Sequence, residues 1–147
     1  MAMPQQGYYE QNPNDGWSSA CKALRALCAQ IDVTLVDGLA ISNQRETIGF
    51  FDDVLNAVHR AIVWLDNRSI AEVHELTAKI GKERFHAING KPTDIYPSHS
   101  RLLWLTKNRN SQTQACTKIS DVNSFLSAKL TGRRAANWAS ADPSGIF

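Results

Sequence analysis

The side chains that could do chemistry fall in three short stretches. In "SNQRE", Arg45 and Glu46 follow the apolar run "VTLVDGLAIS". A guanidinium offers a fixed fork of donors and a carboxylate offers only acceptors, so together they can hold adjacent hydroxyls, each of which donates and accepts. Polyols and sugars need that mixture. The same two residues could instead close a rim ion pair worth at most about 1 kcal/mol, and residue type alone leaves both readings open. In "WLDNRS", Trp64 has a flat face suited either to the carbon side of a sugar or to a core, with Asp66 and Arg68 following. In "TDIYPS", Tyr96 stands between Pro92 and Pro97 in loop chemistry, and loop hydroxyls often meet ligands, with core packing as the alternative.

Other chemistries lack their residues. The four histidines, His59, His74, His86 and His99, lie too far apart for a local metal motif, and none accompanies a recognisable Ser or Cys nucleophile. Cys21, Cys28 and Cys116 are an odd count without a CxxC pair, which argues against a disulfide framework or a zinc site and fits a reducing cytoplasm. No GxxxxGK or GxGxxG loop cradles phosphate. With a net charge of only +2, nothing recommends nucleic acid as a partner, and the basic spots Lys107–Arg109 and Arg133-Arg134 read as solvated. No apolar run approaches the ~20 residues that span a bilayer, and the start lacks the pattern of a signal peptide.

A chain of 147 residues, 43% hydrophobic and 20% charged, suits one globular domain. Asn12 as cap, Pro13 at the first helical position and a stripe from Trp17 through Ala20, Cys21, Leu24, Leu27 and Cys28 to Ile31 predict a helix against a flat surface. "VTLVDGLAIS", Val33 to Ser42, predicts a strand covered on both faces, with "TIGFFD" and "AIVWL" as second and third strands and a turn around Asp52-Asp53 and Asn56. "SNQRE" then sits at the carboxyl end of that first strand, where open α/β sheets place ligands. Ser69 with Glu72 predicts a capping box, followed by a helix bearing Ile70, Val73, Leu76 and Ile80 and stopping at Gly81. Further helices are expected from Ser98 and, capped by Ser120, up to Gly132. The polar tract "NRNSQTQ" interrupts the chain between them, and the tail "RRAANWASADPSGIF" shows no helical period and halts on Phe147 as though cut.

Read in order, "GYYEQNPNDGW", "GLAISNQRETIGFFD", "AIVWLDNRS", "TDIYPSHSRLLWL", "ISDVNSFLSAKLTG" and "LTGRRAANWASADPSGIF" resemble the FGGY family of carbohydrate kinases, with its glycerol-kinase and xylulokinase branches. The likeness covers nearly the whole chain, and its specificity comes from order and spacing. It implies an α/β fold of the ribonuclease H-like, actin-like ATPase class, here incomplete, with a mixed sheet and packed helices. It also implies that residues 1–147 are part of an amino-terminal, sugar-binding domain. By resemblance, Arg45 and Glu46 match a pair that hydrogen-bonds polyol hydroxyls, Trp64 an aromatic that packs on polyol carbons, and Tyr96 a tyrosine near the substrate.

The resemblance implies ATP and Mg as cofactors of the full-length family. The Asp-Gly-Thr phosphate strand, the general-base Asp of a Gly-Asp-Gln type motif and the ATP domain are not matched here, so the chain alone is expected to bind neither cofactor and to be inactive. "WLDNRS", closer to the sugar-kinase branches, leaves the substrate between glycerol, another polyol and a ketose. The expected function is the hydroxyl-binding part of phosphoryl transfer from ATP to a sugar or glycerol hydroxyl. Its rival is a non-catalytic sugar-binding or protein-interaction module on the same fold. Expected partners are the sugar or polyol, with a second copy of the chain or a complementing kinase segment, and neither nucleic acid nor membrane. The expected location is the cytoplasm.

Overall fold

The computed structural model describes residues 1–108 and 111–146; Arg109 and Phe147, singled out above, lie outside them, as does part of the tract "NRNSQTQ". Among the described residues, four strands form one antiparallel sheet: β1 (Glu10–Gln11), β2 (Ile48–Phe51), β3 (Ala57–Ile62) and β4 (Lys118–Asp121), in the order β1-β3-β2-β4. Strand β2 lies inside this sheet and is buried on both faces. Ile48 pairs across to Ile62 on one side and to Asp121 on the other.

The two faces of β2 are covered differently. On one, Ile48, Phe50 and Ile62 pack with Leu105 of α4 (Ser98–Lys107), and Val58, Leu102 and Trp104 close around them. On the other, Phe51 stacks on Phe125 of α6 (Val122–Thr131), with ring centroids 4.6 Å apart. Gly49 makes room for that stack, since a Cβ there would lie 2.7 Å from the Phe51 ring.

Local chemistry sets several boundaries. Helix α1 (Pro13–Cys28) begins as expected, its Asn12 cap accepting from the Asn14 amide at 3.0 Å. Only the first half of its stripe is partly covered, and Leu27 is 49% exposed. The Asp52 carboxylate gathers Val54, Asn56 and the Asn56 side chain into the turn between β2 and β3, where Leu55 adopts φ 65°. Helices α2 (Ile70–Ile80) and α6 stop at Gly81 and Gly132, both at positive φ.

Other expectations are corrected. Val33–Ser42 is no strand: a single 3-10 turn at Val33–Leu35 leads into an irregular, exposed segment, with Leu35 77% and Leu39 61% exposed. A strand needs a neighbour's amides and carbonyls, and among the described residues none pairs with this run. The third strand sits earlier than "AIVWL", ending at Ile62, so Trp64 lies in a turn. Ser69 makes no cap; its hydroxyl pairs instead with that of Ser100 at 3.0 Å, and Glu72 reaches Lys107 at 3.3 Å, tying α2 to α4. Asp121, one residue after Ser120, caps α6 by accepting from the Ser124 amide. Helix α3 (Lys82–Asn89) follows Gly81 directly, and after the short α5 (Ser111–Gln114) and α6 the tail forms α7 (Trp138–Ala141) and a 3-10 turn at Asp142–Ser144. No helix among the described residues is long and apolar enough to cross a membrane.

Candidate substrate site

The structure separates Arg45 from Glu46. Arg45 is exposed, whereas Glu46 is 2% exposed and turned inward at φ 61°. No ion pair joins the two; the nearest cation to the Glu46 carboxylate is Arg101, 3.7 Å away. Glu46 Oε2 accepts from the Ser98 amide at 2.5 Å and from the Ser98 hydroxyl at 2.8 Å, at the start of α4. Burial raises the Glu46 carboxyl above its ordinary value, against the lowering pull of both Ser98 bonds, of Arg101 and of Arg45. Its second oxygen, Oε1, receives no protein donor among the described residues. Buried carboxylates ordinarily fill such capacity, so Oε1 can accept from a hydroxyl.

Trp64 and Tyr96 are brought together. Their rings meet edge to face, with centroids 5.9 Å apart, and each is a little over one-third exposed, Trp64 37% and Tyr96 39%. Such a half-covered pair presents apolar faces without being core. The Trp64 amide donates to Thr47 Oγ1 at 3.3 Å, anchoring the turn beside Glu46. Glu46 and Ser98 also wall a groove of about 480 Å³ with Ile48, Leu102 and Ala128, which Trp64 and Tyr96 do not line.

Asp66 and Arg68, next to Trp64 in sequence, serve the fold. Asp66, fully buried, accepts from the Tyr9 amide at 2.6 Å, the Arg68 amide at 2.9 Å, and Arg68 Nε and Nη2 at 2.7 and 2.9 Å. The guanidinium continues to Glu10 at 2.9 Å and lies over the rings of Tyr8 and Trp104. This network pins β1 to the turn that carries Trp64.

Sequence reasoning missed Arg101. Its side chain has no exposure, and its guanidinium donates to the carbonyls of Glu46 (2.7 Å), Trp64 (3.3 Å), Ile95 (3.0 Å) and Tyr96 (2.9 Å). Ser98, Arg101 and Leu105 share one helical face, and an arginine in register with a core leucine was the signal available.

Among the described residues no group of three or more His, Cys, Asp or Glu could hold a metal ion. No glycine loop in the sequence offers a run of amides to phosphate.

Residues 1–147 match the FGGY family of carbohydrate kinases, N-terminal domain. The glycerol kinase of Thermococcus onnurineus (strain NA1) is 29% identical over 153 residues, covering 98% of this chain and 30% of that protein. The glycerol kinase of Brucella suis biovar 1 (strain 1330) is 32% identical over 141 residues, 90% of this chain and 28% of its own length. Among solved structures, xylulose kinase from Rhodospirillum rubrum superposes with a TM-score of 0.91 at 21% identity, over 100% of this chain and 30% of that one. Plasmodium falciparum glycerol kinase with ADP gives 0.85 at 24% identity, over 99% and 31%. The chain thus spans about 30% of the length of these relatives and shares the α/β fold of these carbohydrate-kinase structures. On the whole-chain match, it belongs to the FGGY family of carbohydrate kinases, as an N-terminal domain.

Proposed function

We propose that this chain supplies the alcohol-binding part of an ATP-dependent carbohydrate kinase whose acceptor is a polyol or a ketose. The observation that carries the reading is the Glu46 carboxylate, buried and oriented by Ser98 through one oxygen with the other free, on a segment whose carbonyl shares the Arg101 guanidinium with those of Trp64 and Tyr96. In this role Glu46 accepts from one hydroxyl and Arg45, exposed and already acting electrostatically on the Glu46 carboxylate, folds over to donate to its neighbour. Trp64 packs on the carbon skeleton and Tyr96 limits its length. Relatives named glycerol kinase and structural neighbours named xylulose kinase support an acceptor of this class.

ATP supplies the phosphoryl group in such kinases, but the residues here do not fit a triphosphate or its Mg, and we derive no transfer step from them. Phosphate cradle, general base and nucleotide domain would come from a complementing kinase segment. The chain alone should release no ADP above background with glycerol or xylulose.

The experiment grafts this chain into a complete kinase and measures initial rates. Losing one charge-assisted bond and stranding its partner costs about 1.5–3 kcal/mol, so Arg45→Ala or Glu46→Ala should lower kcat/KM for the alcohol roughly tenfold or more while KM for ATP stays put. Unchanged alcohol kinetics in both variants would make the two residues structural and favour a non-catalytic module.

A further inference from the structure

Three of the four candidate substrate residues hang from one guanidinium. Arg101 Nη2 donates to the carbonyls of Glu46 and Tyr96, and Nη1 to that of Trp64, at 2.7, 2.9 and 3.3 Å. Those carbonyls belong to three separate segments: the entry to β2, the turn after β3 and the loop before α4. The entry to β2 and the turn after β3 are already joined by the Ile48–Ile62 pair and the Trp64–Thr47 bond, and the guanidinium ties the loop before α4 to both.

Glu46 needs such a hold. Its φ of 61° is a left-handed conformation that a residue with a side chain keeps only when its surroundings over-determine it. Two contacts do so: the Arg101 bond to its carbonyl and the Ser98 bonds to its carboxylate. Ser98 is itself tied to the same guanidinium, its hydroxyl 3.3 Å from Nη2.

The fork is also chemically specific. A guanidinium carries donors on two terminal nitrogens in one plane, and so bridges acceptors that a point-like ammonium cannot reach together. Nε of Arg101 has no hydrogen-bond partner among the described residues, so its bonding there is concentrated at the end facing the three segments.

We propose that Arg101 is the positioning residue of the alcohol site: by binding the carbonyls of Glu46, Trp64 and Tyr96 from one buried guanidinium, it holds the carboxylate and the two rings in the arrangement that receives adjacent hydroxyls. The alcohol-binding part of this role rests on the function proposed above, whereas the assembly of the three segments does not.

The experiment compares the full chain with Arg101→Lys and Asn12→Ala by solution NMR, thermal unfolding and calorimetric titration with glycerol and with xylulose. In the wild type, the Trp64 and Tyr96 rings give cross-relaxation peaks and the Ser98 amide proton is shifted downfield by its bond to the carboxylate. Arg101→Lys should lose both signals and bind the alcohol about tenfold or more weakly, because small misplacements are costly in a preorganised site. Asn12→Ala, which removes the cap of α1 and touches none of the site residues, should lower Tm while leaving both signals and the affinity in place. Loss of the ring peaks in Arg101→Lys, with no alcohol bound even by the wild type, supports the positioning role and overturns only the hydroxyl reading. Intact peaks and intact affinity in Arg101→Lys overturn the proposal. If that variant does not fold, the wild type decides: a guanidinium locked by several carbonyls gives separate, slowly exchanging Nη protons, and rapidly averaged ones overturn the proposal.

Discussion

Replacing Asp66 by alanine removes the centre of the network that pins β1 to the Trp64 turn. The carboxylate is fully buried and takes four donors, two of them backbone amides. In Asp66→Ala the Arg68 guanidinium, its side chain only 2% exposed, keeps Glu10 as its single close acceptor, and the Tyr9 amide loses its partner. Breaking a buried pair costs about 3–5 kcal/mol, and each stranded buried donor about 1–3 kcal/mol. The retained Glu10 bond holds the total to the lower part of that sum, about 3–5 kcal/mol. For a domain of this size a loss of 1 kcal/mol moves Tm by roughly 2–4 °C, so the variant should melt about 6–20 °C below the wild type. Urea unfolding followed by circular dichroism and tryptophan fluorescence, at unchanged m, measures this. The double variant Asp66→Ala with Arg68→Met should recover part of the loss, since it removes the stranded charge and leaves an apolar chain against Tyr8 and Trp104. A single-variant cost below about 1 kcal/mol, or strict additivity in the double, would refute the reasoning.

Further perturbations act on single groups. Because burial raises the Glu46 carboxyl above 4.5, the folded state holds its proton more tightly than the unfolded chain; stability of the wild type relative to Glu46→Gln should therefore fall as pH rises from about 4.5, and a flat or rising difference counts against this burial. Burial lowers His99 below 6.5, with Arg101 adding to it and the Ser144 carbonyl opposing it; stability should thus decline as pH falls from about 6.5, and His99→Gln should flatten that slope in urea titrations. The exposed apolar segment holding Leu35 and Leu39 should bind a hydrophobic dye or pair with a second copy, and Leu35→Lys with Leu39→Lys should abolish both in fluorescence and sedimentation measurements.

What could be read from the sequence divides along the range of the forces involved. Asn12-Pro13, the Asp52–Asn56 turn, Gly81 and Gly132 act within a few residues, and each stands where local chemistry put it. Val33–Ser42 has strand composition, but a strand exists only with a partner, which composition does not show. Ser69 and Glu72 have capping-box spacing, yet contacts to Ser100 and Lys107, more than thirty residues away, claim both side chains. Val63–Leu65 is apolar enough for a strand, but Asp66 bends the chain there by accepting the Tyr9 and Arg68 amides. Residue type and motif order picked out Glu46, Trp64 and Tyr96 as candidates, and the structure brings their carbonyls together on Arg101. Arg101 itself was not picked out, because a surface arginine and a buried one look alike until the carbonyls around them are known.

The central claim is that the Glu46 carboxylate with the Trp64–Tyr96 pair binds an alcohol bearing adjacent hydroxyls. Calorimetric titration of this chain with glycerol and with xylulose, in the wild type and in Glu46→Ala, tests it most directly. The account predicts saturable binding of at least one of the two and, in Glu46→Ala of unaltered fold by circular dichroism, affinity reduced about tenfold or more. Wild-type binding that survives Glu46→Ala unchanged, or no binding of either alcohol by folded wild-type chain, would contradict it.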